Sequence, residues 1–129
     1  MARQDLKYAD LTEKVIGCAM KVHRTLGPGF PEIVYKRCLM IELEKEGINF
    51  VSEQERVIIY EGRAVGKRRL DLLVETKVLV ELKAVMVVDN FFPNQILNYL
   101  KIFKIEVGFL LNFGNASLKF KRFINSAIS

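Results

Sequence analysis

The sequence predicts a mixed α/β fold, helices flanking a sheet, with elements in the order ααβββαββ. Three observations predict it. Two apolar stretches with helical spacing come first, and each ends at glycine. Runs rich in β-branched and aliphatic residues follow, separated by short polar turns. One amphipathic stretch then divides the third run from the fourth, which allows a parallel crossover and hence a mixed sheet.

In the first helix Leu11, Val15, Cys18, Val22 and Leu26 share a face, so it should run from about residue 11 to 26 and stop at Gly27-Pro28-Gly29. Asp10-Leu11-Thr12-Glu13 has the capping-box pattern, with Asp10 as the acceptor. Pro31 suits the first turn of the second helix. Val34, Cys38 and Ile41 make its apolar stripe, Leu43 lies near the seam, and Gly47 suits the C′ position. Phe50 to Tyr60 reads as a strand, Glu61-Gly62-Arg63 as a turn, and Val65 to Glu75 with Val78 to Val85 as a hairpin about Thr76. Asp89-Asn90 can cap a third helix that has Pro93 in its first turn and a body reaching about Lys104. Glu106 to Phe113 and Ser117 to Ile124 are the last strands, split at Gly114-Asn115. No repeat, low-complexity tract or linker interrupts the series, so residues 1–129 read as one domain.

Composition narrows the class. Half of the 129 residues are hydrophobic and 27% are charged, the balance of a soluble globular domain. No apolar run approaches the roughly 18 residues of a membrane span. The polar opening Met1-Ala2-Arg3-Gln4-Asp5 has no apolar signal core, so a cytoplasmic location is expected. A net charge of +5 suits a polyanionic partner without specifying one. The densest basic clusters are Arg63 with Lys67-Arg68-Arg69, and Lys119-Phe120-Lys121-Arg122. Cys18 and Cys38 lack CxxC spacing and read as buried thiols, and with only His23 beside them they do not make a zinc site.

The hairpin holds the chemistry. Folding back about Thr76 sets Asp71 opposite Glu81, and period-two alternation puts Asp71, Glu81 and Lys83 on one face. Charges set among Leu and Val are costly unless something pairs with them. Magnesium, or manganese, together with a phosphate substrate would do so: Asp71, Glu81 and the Leu82 carbonyl offer hard oxygen donors, while Lys83 can orient the attacking water or neutralise developing charge. A cross-strand ion pair is the alternative, although strands apolar on both faces usually lie inside a sheet. Glu32 suits a helix N-terminus for dipole reasons alone. Gln95 and Tyr99, four apart, suit an amphipathic flank equally well.

Taken in order, these strings resemble a known family. Asp71 followed by Glu81-Leu82-Lys83 resembles the D…(D/E)xK pattern of the PD-(D/E)XK nuclease superfamily. Gly29-Phe30-Pro31-Glu32-Ile33-Val34-Tyr35 matches the GxxExxY motif of a small bacterial and archaeal branch. Gln95-Ile96-Leu97-Asn98-Tyr99-Leu100 and Gly108-Phe109-Leu110-Leu111-Asn112-Phe113-Gly114 are also similar to that branch, so the likeness runs from about residue 10 to 125. It implies a restriction-endonuclease-like core, metal binding by Asp71 and Glu81, catalysis by Lys83, a helical acidic position at Glu32, and an active-site helix bearing Gln95 and Tyr99. Where relatives tend to carry a His shortly before the Gln, this chain has Phe91-Phe92-Pro93-Asn94. The basic segment ahead of Asp71, Arg63 and Lys67-Arg68-Arg69, favours contacts to backbone phosphates. A metal-dependent nuclease acting on DNA is the expected activity, with RNA as the second candidate substrate. The alternative is a non-cleaving or partner-dependent nucleic-acid-binding module on the same fold. A homodimer would suit cleavage of both strands of a duplex.

Overall fold

The structure, a computed structural model, describes residues 8–89 and 91–125. Its elements are α1 (Ala9–Leu26), α2 (Glu32–Lys45), β1 (Phe50–Ser52), β2 (Glu55–Tyr60), β3 (Arg63–Arg69), β4 (Leu72–Val74), β5 (Val78–Lys83), α3 (Phe91–Phe103), β6 (Val107–Asn112) and β7 (Lys119–Ile124). Five strands form one sheet in the order β1-β4-β5-β6-β7, and β2 with β3 forms a separate two-stranded ribbon. Among the described strands only β5 and β6 pair in parallel, joined by the α3 crossover, so the mixed sheet flanked by helices stands as expected.

Two apolar clusters cover the two faces of the sheet. Leu72, Val74, Val78, Val80 and Leu82 pack with α1 and α2 through Val15, Val22, Tyr35, Leu39 and Leu43. Leu73, Leu79 and Leu110 face the other way, onto Ile96, Tyr99, Leu100 and Phe103 of α3. Central strands buried on both faces explain their nearly unbroken aliphatic runs. Gly108 lets α3 lie close: a Cβ there would stand 3.0 Å from Leu100 Cδ2 and 3.4 Å from Ile96 Cγ2.

Several local expectations need correction. The first helix begins at Ala9, with Tyr8 at its N-cap in a left-handed conformation and no side chain capping it. Asp10 therefore lies inside the first turn and favours the helix through its charge. Pro31 is the N-cap of α2 rather than a first-turn residue. The buried stripe of α2 is Tyr35, Leu39 and Leu43 with Lys36, while Ile41 is exposed. Gly47 does take the left-handed conformation expected beyond that helix, at φ 71°. Asp89 caps α3 by accepting from the Phe91 N–H at 2.8 Å; Asn90 lies outside the described residues, as does the Met1–Asp5 opening.

The largest departure is that strands 50–60 and 65–75 each break in two. Ser52 pairs with Leu72 and Glu55 with Arg69, a constant register, and Glu53 N–H to Asp71 O (3.1 Å) with Leu70 N–H to Gln54 O (3.1 Å) carry the ladder between them. One long antiparallel pair thus bends at Glu53, whose φ is 57°, opposite Asp71. Asp71 occupies the corner where the pair leaves the main sheet.

Candidate active site

The β4–β5 register, Leu72 with Val80 and Leu73 with Leu79, extends directly to Asp71 opposite Glu81. The backbone ladder ends there and the two carboxylates replace it. Asp71 N–H donates to Glu81 Oε2 at 2.6 Å, and Leu82 N–H donates to Asp71 Oδ2 at 2.9 Å. An extended residue turns its N–H and C=O toward the same neighbour, so the Leu82 carbonyl also faces the Asp71 side. Asp71 Oδ1 and Glu81 Oε1 stay outside these two bonds. Two carboxylate oxygens and one carbonyl are the hard donors that magnesium or manganese prefers, with waters and phosphate filling an octahedron. Among the described residues, no group of three or more His, Cys, Asp and Glu side chains stands ready as a protein cage. The donor set fits an ion that keeps much of its own hydration.

Glu81 is only 4% exposed. Burial, then the charge of Asp71, pushes its carboxyl up to about 8; the bond to the Asp71 backbone and the charge of Lys83 oppose this. The cluster therefore strains to hold two negative charges without a cation, the condition under which acidic pairs bind divalent ions or share a proton. Lys83 does not relieve it by pairing. Its Nζ lies 4.2 Å from the centre of the Phe92 ring, and it forms no ion pair among the described residues. The cross-strand ion-pair arrangement is thus absent there, and the ammonium is held by an aromatic face instead.

Two helices close the site. From α2, Glu32 is half-buried, and its carboxyl is raised by desolvation, while Lys83 pulls it down and Asp71 pushes it up. Lys36, one turn further on and buried, reaches within 3.9 Å of Asp71 Oδ1. From α3, Tyr99 is buried and its hydroxyl is raised by desolvation and then by Glu81, with Arg68 and the Gln95 amide acting oppositely. Glu32, Asp71, Glu81 and Lys83 thus form one electrostatic cluster, and Tyr99 joins it through Glu81 and Asp71, with Gln95 beside it.

The basic residues ahead of Asp71 divide. Arg69 is tied to Glu55 at 2.7 Å and Glu53 at 3.4 Å, and Arg68 lies 5.9 Å from the centre of the Tyr99 ring. Arg63 and Lys67 are exposed on the ribbon, where they form no ion pair among the described residues.

Three positioning devices lie at residues inside the GxxExxY and Gly108–Gly114 strings, although spacing alone does not reveal their contacts. Tyr35 Oη donates to Gly27 O at 2.5 Å, accepts from Phe30 N–H at 3.2 Å, and its ring stacks on Phe113 at 4.6 Å. It thereby fixes the α1–α2 loop from which Glu32 emerges. Asn112 clamps the chain beyond Lys83, donating to Val85 O at 2.9 Å and accepting from Val85 N–H at 3.1 Å. Gly114 lies so close that a Cβ would collide with the Val85 backbone. The buried histidine is accounted for: His23 Nε2 lies 2.8 Å from Asn115 O.

A family model described as the PD-(D/E)XK nuclease superfamily matches residues 9–123. The chain belongs to that superfamily. PD-(D/E)XK nucleases generally use divalent metals and act on nucleic acid, which agrees with the oxygen-rich cluster at Asp71 and Glu81. The crystal structure of SSO0001 has a similar fold, with a TM-score of 0.58 at 19% identity over 74% of this chain. This chain spans about half of that one, 52%. No curated protein matches. Among the described residues, no helix is long and apolar enough to cross a membrane.

Proposed function

We propose that this PD-(D/E)XK protein is a nuclease of the GxxExxY branch that hydrolyses phosphodiester bonds of DNA, with RNA as the second candidate substrate, using Mg²⁺ or Mn²⁺. The observation that carries the reading is the corner at Asp71. There the ladder stops, and two carboxylates with the Leu82 backbone form an oxygen cluster beside a lysine that has no ion-pair partner among the described residues. Asp71, Glu81 and the Leu82 carbonyl hold the metal, which when bound lowers the pKa of water and stabilises charge on the phosphoryl group. Lys83 offers its ammonium, which rests over the Phe92 ring, to the attacking water or the phosphate. Glu32 and Tyr99, joined by Gln95, bound the space from α2 and α3 and orient water and substrate by hydrogen bonds. Arg63 and Lys67, with Arg68 and Arg69 behind them, contact backbone phosphates. A homodimer would place two such sites on a duplex, in keeping with the expected cytoplasmic setting.

The test is a cleavage assay over plasmid, linear, single-stranded and branched DNA and RNA, with Mg²⁺ or Mn²⁺. Asp71→Ala, Glu81→Ala and Lys83→Ala should each lower cleavage by about 10²-fold or more while the circular dichroism spectrum is unchanged. Wild-type protein that leaves every substrate intact, yet binds in a salt-sensitive way, would favour the non-cleaving module.

A further inference from the structure

Lys36 stands outside the D…ExK pattern and the GxxExxY motif, and its position is unusual. Its side chain is 8% exposed. An ammonium so placed is costly unless good geometry offsets the loss of its water. The geometry here is poor. The contact to Asp71 Oδ1 is 3.9 Å, beyond hydrogen-bond length, and Nζ makes no hydrogen bond among the described residues. Nor does Asp71 depend on it, since the Leu82 N–H already bonds that carboxylate and its side chain keeps 24% of its surface in water. A buried cation with three underused donors, aimed at the oxygen cluster, is poised for an anion that arrives there.

Resting on the nuclease function proposed above, we infer that Lys36 binds the substrate phosphodiester, holding it from α2 while Lys83 holds it from β5. Formal charge supports this. Glu32, Asp71 and Glu81 bring three negative charges and Lys36 with Lys83 two positive ones. One divalent cation then leaves a single positive charge, which one phosphodiester cancels. Without Lys36 the metal-loaded site is neutral and attracts phosphate less. Lysine suits the task as a point charge that needs no bidentate geometry. Its seat on α2 gives it a fixed approach.

Lys36→Met preserves length and removes charge. The experiment measures fluorescence anisotropy of a short labelled DNA duplex with Ca²⁺ as the cation, over a salt series, alongside calorimetry of Mn²⁺ binding to the protein alone. The variant should bind duplex about tenfold more weakly, and its slope of log affinity against log salt should shrink by about one, the value of one lost phosphate contact. Its Mn²⁺ affinity should be equal or tighter, because a repelling charge next to Asp71 is gone. Lys36→Arg should recover part of the duplex binding. Equal duplex affinity and an equal salt slope in Lys36→Met would overturn the inference and leave the nuclease function standing. Wild-type protein that binds neither Mn²⁺ nor duplex would remove the nuclease function itself. Lys36→Gln supplies the same comparison if the methionine variant does not fold.

Discussion

Glu81 is the most buried charged residue among those described, and this gives the metal-free protein a characteristic response to pH. Its carboxyl sits at about 8 in the folded state against 4.5 ordinarily. Between those values the native state keeps a proton that the unfolded chain has released, so stability falls as pH rises through the window and the loss is complete above about pH 8. The size is on the order of a few kcal/mol, since each tenfold change in proton affinity is worth about 1.4 kcal/mol. Denaturant titrations in EDTA at several pH values should show this decline, and Glu81→Gln, which keeps the neutral shape, should flatten it. A wild type and variant with parallel pH profiles would contradict this account of Glu81. Added Mg²⁺ should act most strongly at the alkaline end, where the ionised carboxylate is available to it. The placing of Asp71 opposite Glu81 is legible from sequence because a short connector and a period of two fix the register. The burial of Lys36 is not, because it arises from the side of α2 that packs inward, and the helix offers two phases, Val34-Cys38-Ile41 and Tyr35-Leu39-Leu43. The larger side chains decide it.

At the scale of elements, the α1–α2 connection shows how a motif can be read without its mechanism. Glu32 and Tyr35 stand out in the sequence as one pattern, yet Tyr35 acts through Gly27 and Phe113, one just before the motif and one on the far side of the chain. No spacing rule reveals such a contact. Tyr35→Phe keeps the stack on Phe113 and deletes both hydrogen bonds of the hydroxyl. It should cost about 1–2 kcal/mol and lower Tm by about 3–8 °C. Unchanged Tm would mean that the loop is held by packing alone. The broken strands have a similar explanation. Residues 50–58 and 66–74 keep one pairing register through the bend, shifting only beyond Ile58, so pattern alone reads the strands as continuous, and the turn out of the sheet comes from the left-handed Glu53. That conformation is uncommon for a residue with a side chain, and nothing local announces it. The β5–α3–β6 crossover is legible because a parallel pair requires one.

Across the whole molecule, the ribbon and the main sheet divide the labour that the basic charge suggests. The main sheet, with α1, α2 and α3, contains both apolar clusters apart from the junction at Leu70, whereas β2 and β3 expose Val57, Ile59, Tyr60 and Val65. The ribbon's contacts with the body include Arg56 over Phe103 and Arg68 over Tyr99, at 5.4 and 5.9 Å. Each such contact is worth about 0.5–1 kcal/mol when exposed. On the proposed function, removal of the ribbon is expected to spare folding and to weaken nucleic-acid binding. Replacing residues 55–69 by Asn-Gly would join Gln54 to Leu70 through a tight turn at a position where they already pair. The shortened chain should unfold cooperatively, with stability reduced by roughly 1–2 kcal/mol, because the register from Phe50–Ser52 to Leu72–Val74 is set within the main sheet. Its affinity for duplex should fall and its salt slope should shrink by more than one, since Arg63 and Lys67 leave together. Milder changes, Arg63→Ala and Lys67→Ala, should each reduce the slope by about one without moving Tm. Loss of cooperative unfolding on excision would show that the ribbon is part of the folding unit; full retention of duplex affinity would show that nucleic acid meets the protein elsewhere.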